Sequence, residues 1–193
     1  MAQVVEALQE EHRNIARLLQ ALEWQIDVFS NAGDPDYDVV TGVADYFLDF
    51  PDRCHHPKED TIFARMRARR PDEAAIVSDL PDEHRALHEQ ALRFHESVRQ
   101  LLNGDDFPRE AVVAAARQFI EAERSHMRWE EEHFLPLASR ILTPADWLEV
   151  EGELNQRPDP LFGGKVEEGF KKLSDRLLAW EAEDEREPSS SDG

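Results

Sequence analysis

The chain has 193 residues, 40% of them apolar, with 42 acidic side chains against 22 basic ones and a formal net charge of −20. This length suits one domain with a sizeable core, and the charge argues against nucleic acid or an anionic membrane as partner. Few glycines and few Val, Ile or Thr runs argue against a β fold, no apolar run approaches the ~20 residues of a membrane span, and the lone Cys54 excludes an internal disulfide.

The spacing predicts a first helix from Gln3 to about Phe29, where Val5, Leu8, His12, Ile15, Leu19, Leu22 and Ile26 recur at steps of three and four. This is a bundle seam, and the imidazole of His12 needs a partner inside it. Turn formers follow from Ser30 to Pro35. The second helix begins near Asp36 and carries Val39, Val43, Phe47, His55, Glu59 and Ile62. Pro51 within it predicts a kink, and Pro57 removes a second N–H soon after. Arg65 to Arg70 puts basic residues at its C-terminus, complementing the helix dipole.

Pro71 to Ser78 reads as a short helix or turn. Leu80-Pro81-Asp82 then opens the third long helix, whose seam is Leu80, His84, Leu87, His88, Ala91, Phe94 and Val98, stopped by Asn103-Gly104. The fourth runs from Pro108 to about Leu142, with Val112, Ala116, Phe119, Glu123, His126, Glu130, His133 and Leu137 on one seam. Four ionisable groups at core spacing are costly unless they bind something. Thr143 to Gln156 forms a short fifth helix on a Thr-Pro cap, and Val166 to about Glu183 a last amphipathic one. The expected division is a four-helix bundle over 1–142, a helical extension packing on it over 143–184, and a disordered tail over 185–193. An acidic amphipathic N-terminus is unlike a secretory leader, so a cytoplasmic location is expected.

An internal repeat runs through these elements. Glu11-His12-Arg13 recurs 72 residues later as Glu83-His84-Arg85, and His55-x-x-x-Glu59 recurs 71 residues later as His126-x-x-x-Glu130. Asp60 matches Glu131, and Phe63 matches Phe134. Residues four apart on a helix share a face roughly 6 Å apart, so an imidazole and a carboxylate can reach one ion. Two such hairpins face to face converge His12, His55, Glu59, His84, His126 and Glu130. Without thiolates among them, this set suits iron, manganese or zinc.

Four imidazoles and two carboxylates are a donor set for two ions sharing the carboxylates. A solvent-derived oxo or hydroxo bridge would bring each ion to five donors and leave a position for a small molecule. His88, one turn after His84, either fills that position on one ion or lines the pocket beside it. Asp52 and Glu123 also correspond in the repeat and are candidate acceptors for the ligand N–H groups. His56 is expected to turn away from the seam, His133 to line the pocket, and His95 to be an ordinary helix residue. In the absence of metal, at least one of Glu59 and Glu130 is expected to hold a proton.

The pattern His12, His55-x-x-x-Glu59, His84 and His126-x-x-x-Glu130 resembles the hemerythrin-like HHE cation-binding family. So do Phe50-Pro51-Asp52-Arg53-Cys54-His55-His56-Pro57-Lys58-Glu59 and Asp159-Pro160-Leu161-Phe162-Gly163. The resemblance implies an all-α, up-down-up-down four-helix bundle with additional C-terminal helices. It also implies a non-haem di-iron centre that binds dioxygen, nitric oxide or peroxide. Respiratory members carry His-x-x-x-His on the third helix, matched by His84 and His88, and His-x-x-x-x-Asp on the fourth, which would select Glu131 where the repeat selects Glu130. The expected function is ligand binding for sensing, storage or scavenging, by a monomer or homodimer with a separate partner for any signalling. The alternative is a di-iron oxidase, a peroxidase or an iron-centre repair protein.

Overall fold

Apolar seams at steps of three and four draw four antiparallel helical arms together in the computed structural model, which describes residues 2–77, 79–104, 108–154 and 158–184. The first arm is α1 (Gln3–Ser30). The second is α2 (Tyr37–Phe50), a wide π-type turn (Pro51–His55) and α3 (His56–Arg69). A single turn, α4 (Pro71–Ala74), precedes the third arm, α5 (Leu80–Leu102). The fourth comprises α6 (Arg109–Trp129), a second wide turn (Glu130–Phe134) and α7 (Leu135–Ile141). Each arm packs on two others, α1 on α2 and α6, and α5 on α2 and α6. The fold is all-α, and no strand occurs among the described residues.

The ends obey local chemistry. Asp36 caps α2 by accepting from the N–H of Asp38, and Gly104, with φ of 76°, takes the left-handed turn after α5. The kink expected at Pro51 is a turn with one extra residue, closed by the His56 N–H on the Pro51 carbonyl. Pro57 and Pro136 stand in the first turns of α3 and α7, just past the two wide turns, where each lacks an N–H to give back. The fourth arm therefore has a break in register that a continuous helix from Pro108 to Leu142 does not have.

Two C-terminal helices complete the fold. Thr143 and Asp146 form a reciprocal capping box at the start of α8 (Pro144–Glu153). Asp146 also receives Arg65 at 2.8 Å and Arg69 at 3.0 Å, so the basic end of α3 holds α8 as well as complementing its own dipole. A 3₁₀ turn (Glu168–Phe170) leads into α9 (Lys171–Asp184), which lies on α2. Gly42 permits that approach, because a Cβ there would sit 3.0 Å from the Leu173 Cβ. Ser78, the Asn155–Gln156 end of the expected fifth helix, Arg157 after it and the expected tail over 185–193 lie outside the described residues.

The Asp159-to-Gly163 segment is a latch. Asp159 Oδ1 accepts from the N–H groups of Leu161 and Phe162 at 2.8 and 3.0 Å, while its Oδ2 accepts from the buried Tyr46 hydroxyl at 2.8 Å. A Cβ on Gly163 would lie 2.4 Å from the Asp159 carbonyl, so only glycine fits. Burial and the Asp159 charge push the Tyr46 phenol well above its usual range, keeping the proton it donates. Replacing Tyr46 with Phe is expected to cost about 1.5–3 kcal/mol, read as a lower urea midpoint at unchanged slope. An unshifted midpoint would show that the latch does not hold.

The core is split in two. One apolar cluster gathers Ile15 to Phe29, Val39 to Cys54, Ala91 to Val98 and Val112 to Met127; the other gathers Val4 to Leu8, Ile62 to Met66, Leu80 and Phe134 to Leu142. Between them, at the level of His12, His55, Glu59, His84, His126 and Glu130, the interior is polar.

Candidate metal centre

All six of these side chains are buried, and Glu59 and Glu130 have no exposure at all. His12, His55, Glu59 and Glu130 each bring one donor atom within 4.8 Å of the others, and so do Glu59, His84, His126 and Glu130. The two groups share both carboxylates. Glu59 lies 3.5 Å from the Nε2 atoms of His12, His55 and His84. Glu130 lies 3.4 Å from His12, 3.6 Å from His84 and 3.0 Å from His126. The arrangement is two adjoining four-donor groups with the two carboxylates in common. Glu131 stays outside it, so the repeat rather than the His-x-x-x-x-Asp spacing selects the inner carboxylate.

The outer nitrogens reveal a second ring of acids. His12 Nδ1 is 2.9 Å from Glu131, and His55 Nδ1 is 2.9 Å from Glu11. His84 Nδ1 is 3.0 Å from Asp60, and His126 Nδ1 is 3.4 Å from Glu83. A carboxylate that takes the Nδ1 proton leaves the Nε2 lone pair pointing inward, which is how metal-bound histidines are oriented. The pairing follows the repeat. Glu11 and Glu83, each just before a lone histidine, hold the second histidine of their own hairpin. Asp60 and Glu131, each just after an inner glutamate, cross to the lone histidine of the other hairpin.

These acceptors are not Asp52 and Glu123, which occupied the matching positions expected for the role. Asp52 pairs with His56 at 3.3 Å and also with His88. Glu123 is buried beside His126, and burial followed by the Glu130 charge pushes its carboxyl up to about 7. The signal for the true acceptors was present, since Glu11 matches Glu83 and Asp60 matches Glu131 in the repeat. Nothing but that match separates them from other surface acids in so acidic a chain.

Four more histidines find their places. His88 is not brought to the six; it is turned to Asp52 and more than a third exposed. His56 does not turn away from the seam: it is 6% exposed and stacks on His84 with ring centroids 4.0 Å apart. The extra residue of the wide turn before it sets His55 and His56 together on the inner side. His133 does not line the interior. The second wide turn moves it to the surface, where its Nδ1 meets the Trp129 carbonyl at 3.2 Å, and Phe134 takes the inner position. His95 is a helix-surface residue facing Asp45.

The donor set fits bound cations. Among the described residues, both oxygens of Glu59, both of Glu130, the Nε2 atom of His84 and both ring nitrogens of His126 are buried without a hydrogen-bond partner. Orphans of this kind are costly in a protein interior unless an ion completes them. Protons partly serve instead when no ion is bound. Burial pulls His12, His84 and His126 down, but the surrounding carboxylates outweigh it and push them up to about 11, 11 and 10. Burial and Glu130 raise Glu59, yet His55, His12 and His84 bring it down to about 2, and Glu130 is held well below its usual range. The proton expected on an inner glutamate therefore sits on imidazoles.

These raised values put ring protons on His12, His84 and His126 at pH 7, and a metal must displace them. Loading metal-free protein in weak buffer at pH 7 is expected to acidify the solution, with a tighter apparent affinity at pH 8 than at pH 6. Loading without proton release, followed on a pH-stat, would contradict this protonation state.

A helical bundle whose polar middle layer offers two four-donor groups sharing two carboxylates defines the class as a candidate metal-binding four-helix protein. The comparison with protein families agrees: residues 3–138 match the hemerythrin HHE cation binding domain, and the chain belongs to that family. No curated protein and no solved structure matches the chain. No described helix is long and apolar enough to cross a membrane.

Proposed function

We propose that the chain is a non-haem di-iron protein that binds a small ligand, dioxygen, nitric oxide or peroxide, for sensing, storage or scavenging in the cytoplasm. The observation that carries this reading is the pair of four-donor groups sharing Glu59 and Glu130. Mixed imidazole and carboxylate donors without thiolate suit iron, manganese or zinc, and membership of the hemerythrin HHE family puts iron first, with manganese or zinc as substitutes. His12 and His55 would hold one ion, His84 and His126 the other. Bound iron would supply the redox change and the open position at which a small molecule binds.

The protein's own part is orientation and exclusion. Glu131, Glu11 and Asp60 hold three of the four rings by their outer nitrogens, and Glu83 faces the fourth at 3.4 Å, so little reorganisation accompanies binding. The apolar clusters above and below keep bulk water from the layer, which strengthens every charge interaction inside it.

The reading is tested by loading the chain anaerobically with ferrous iron and recording visible spectra as dioxygen or nitric oxide is added and then removed. Two irons per chain and a spectral change that reverses with the gas are expected. Irreversible oxidation at the first exposure to dioxygen would replace ligand binding with di-iron redox catalysis, and failure to bind iron would remove both.

A further inference from the structure

The internal repeat relates two surface cavities as well as two sets of donors. One, of about 400 Å³, lies outside His12 and is lined by Gln9, His12, Arg13, Ala16, Met127 and Glu131 among others. The other, of about 440 Å³, lies outside His84 and is lined by Pro81, His84, Arg85, His88, His56 and Asp60 among others. Seven lining positions of the one recur in the other, 71 or 72 residues away in the chain. Two differences stand out. Met127 and Ala16 line the first where His56 and His88 line the second, so the two mouths have unlike chemistry.

His56 has the attributes of the four inner imidazoles. It is buried, its Nδ1 faces a carboxylate, Asp52, at 3.3 Å, and it brings a ring nitrogen within 4.8 Å of donors on both His84 and His126. His88 has only one of these attributes. Its Nδ1 is on Asp52, but it is more than a third exposed and belongs to none of the donor groups. Asp52 therefore stands between the two rings, with His88 on its outer side and His56 on its inner side.

We propose that His56 is a fifth imidazole donor of the centre, serving the ion held by His84 and His126. The two positions would then be unequal, with three imidazoles to hold that ion and two, His12 and His55, to hold the other beneath the Met127 and Ala16 cavity. His88 positions Asp52, and through it His56, without reaching the metal. The proposal rests on the two-ion reading above, and its test separates the two.

The full chain is loaded anaerobically with cobalt(II), which shifts the ring N–H signal of each coordinated imidazole far outside the normal proton NMR range. Two bound ions and five shifted, exchangeable ring N–H signals are expected. Two bound ions with four such signals would overturn the His56 assignment and leave the two-ion reading standing. No bound cobalt would overturn both. His56→Phe keeps a ring over His84 without a nitrogen; it should lose one shifted signal and weaken one of the two ions by at least ~10-fold. A His56→Phe protein that binds both ions as tightly as the unaltered chain would show that His56 only packs. His88→Ala should keep five signals, and loss of a signal there in place of His56→Phe would move the assignment to His88.

Discussion

Replacing Glu130 with Ala is expected to abolish binding of both ions, whereas replacing Glu131 weakens only one. Glu130 reaches His12 from one oxygen and His84 and His126 from the other, at 3.4, 3.6 and 3.0 Å, so its loss takes a donor and a negative charge from both sites. Glu131 meets His12 at Nδ1 and acts only by orienting that ring. Outer carboxylates of this kind are worth roughly 10–100-fold in affinity, and a shared inner donor should exceed that range for each ion. A ferrous titration read by calorimetry, with bound iron counted after gel filtration, gives both numbers. Two tight ions in Glu130→Ala and none in Glu131→Ala would reverse the assignment and restore the His-x-x-x-x-Asp spacing.

The second large effect is on stability. The polar layer separates two apolar clusters and leaves inner carboxylate oxygens without hydrogen-bond partners, so the metal-free fold carries a desolvation cost at its centre. An ion that binds only the folded chain adds about 2.7 kcal/mol at a free concentration 100 times its dissociation constant. Two ions then add about 5 kcal/mol, and for a chain of this size each 1 kcal/mol moves the melting temperature by about 2–4 °C. Scanning calorimetry should therefore show a rise of roughly 10–20 °C on loading, reversed by a chelator. A melt that moves by less than about 2 °C would mean that the layer is not completed by metal.

Much of this architecture is legible in the amino-acid order because the repeat is legible there. Two histidine-glutamate pairs on matching seams, with Glu11-His12 and Glu83-His84 before them, suffice to place six donors in one layer. What is not legible depends on two wide turns, each of which inserts one residue into a helix. Seam counting assumes an unbroken period and so puts His133 inside and His56 outside. The turn Pro51–His55 brings His56 inward, and Glu130–Phe134 sends His133 out and Phe134 in. Pro57 and Pro136 signal trouble in the ladder, but not whether the helix answers by kinking or by widening.

The carboxylates that hold the rings were hidden for a different reason. Glu11, Asp60, Glu83 and Glu131 look like solvated helix surface in a chain with 42 acidic residues. Their roles depend on which arm faces which, and cross-hairpin pairing such as Asp60 with His84 needs the packed bundle to be seen. Conversely, Asp52 and Glu123 look well placed by repeat position, yet neither holds one of the four inner rings, and Asp52 instead serves His56 and His88.

Glu59 and Glu130 are proposed to be shared by two ions midway along the bundle. Crystals of the anaerobically iron-loaded chain, measured on both sides of the iron absorption edge, test that sharing most directly. The account predicts two anomalous peaks in the polar layer, one beside the Nε2 atoms of His12 and His55 and one beside those of His84 and His126. A single peak, or iron only at surface acids with the layer empty, would contradict it.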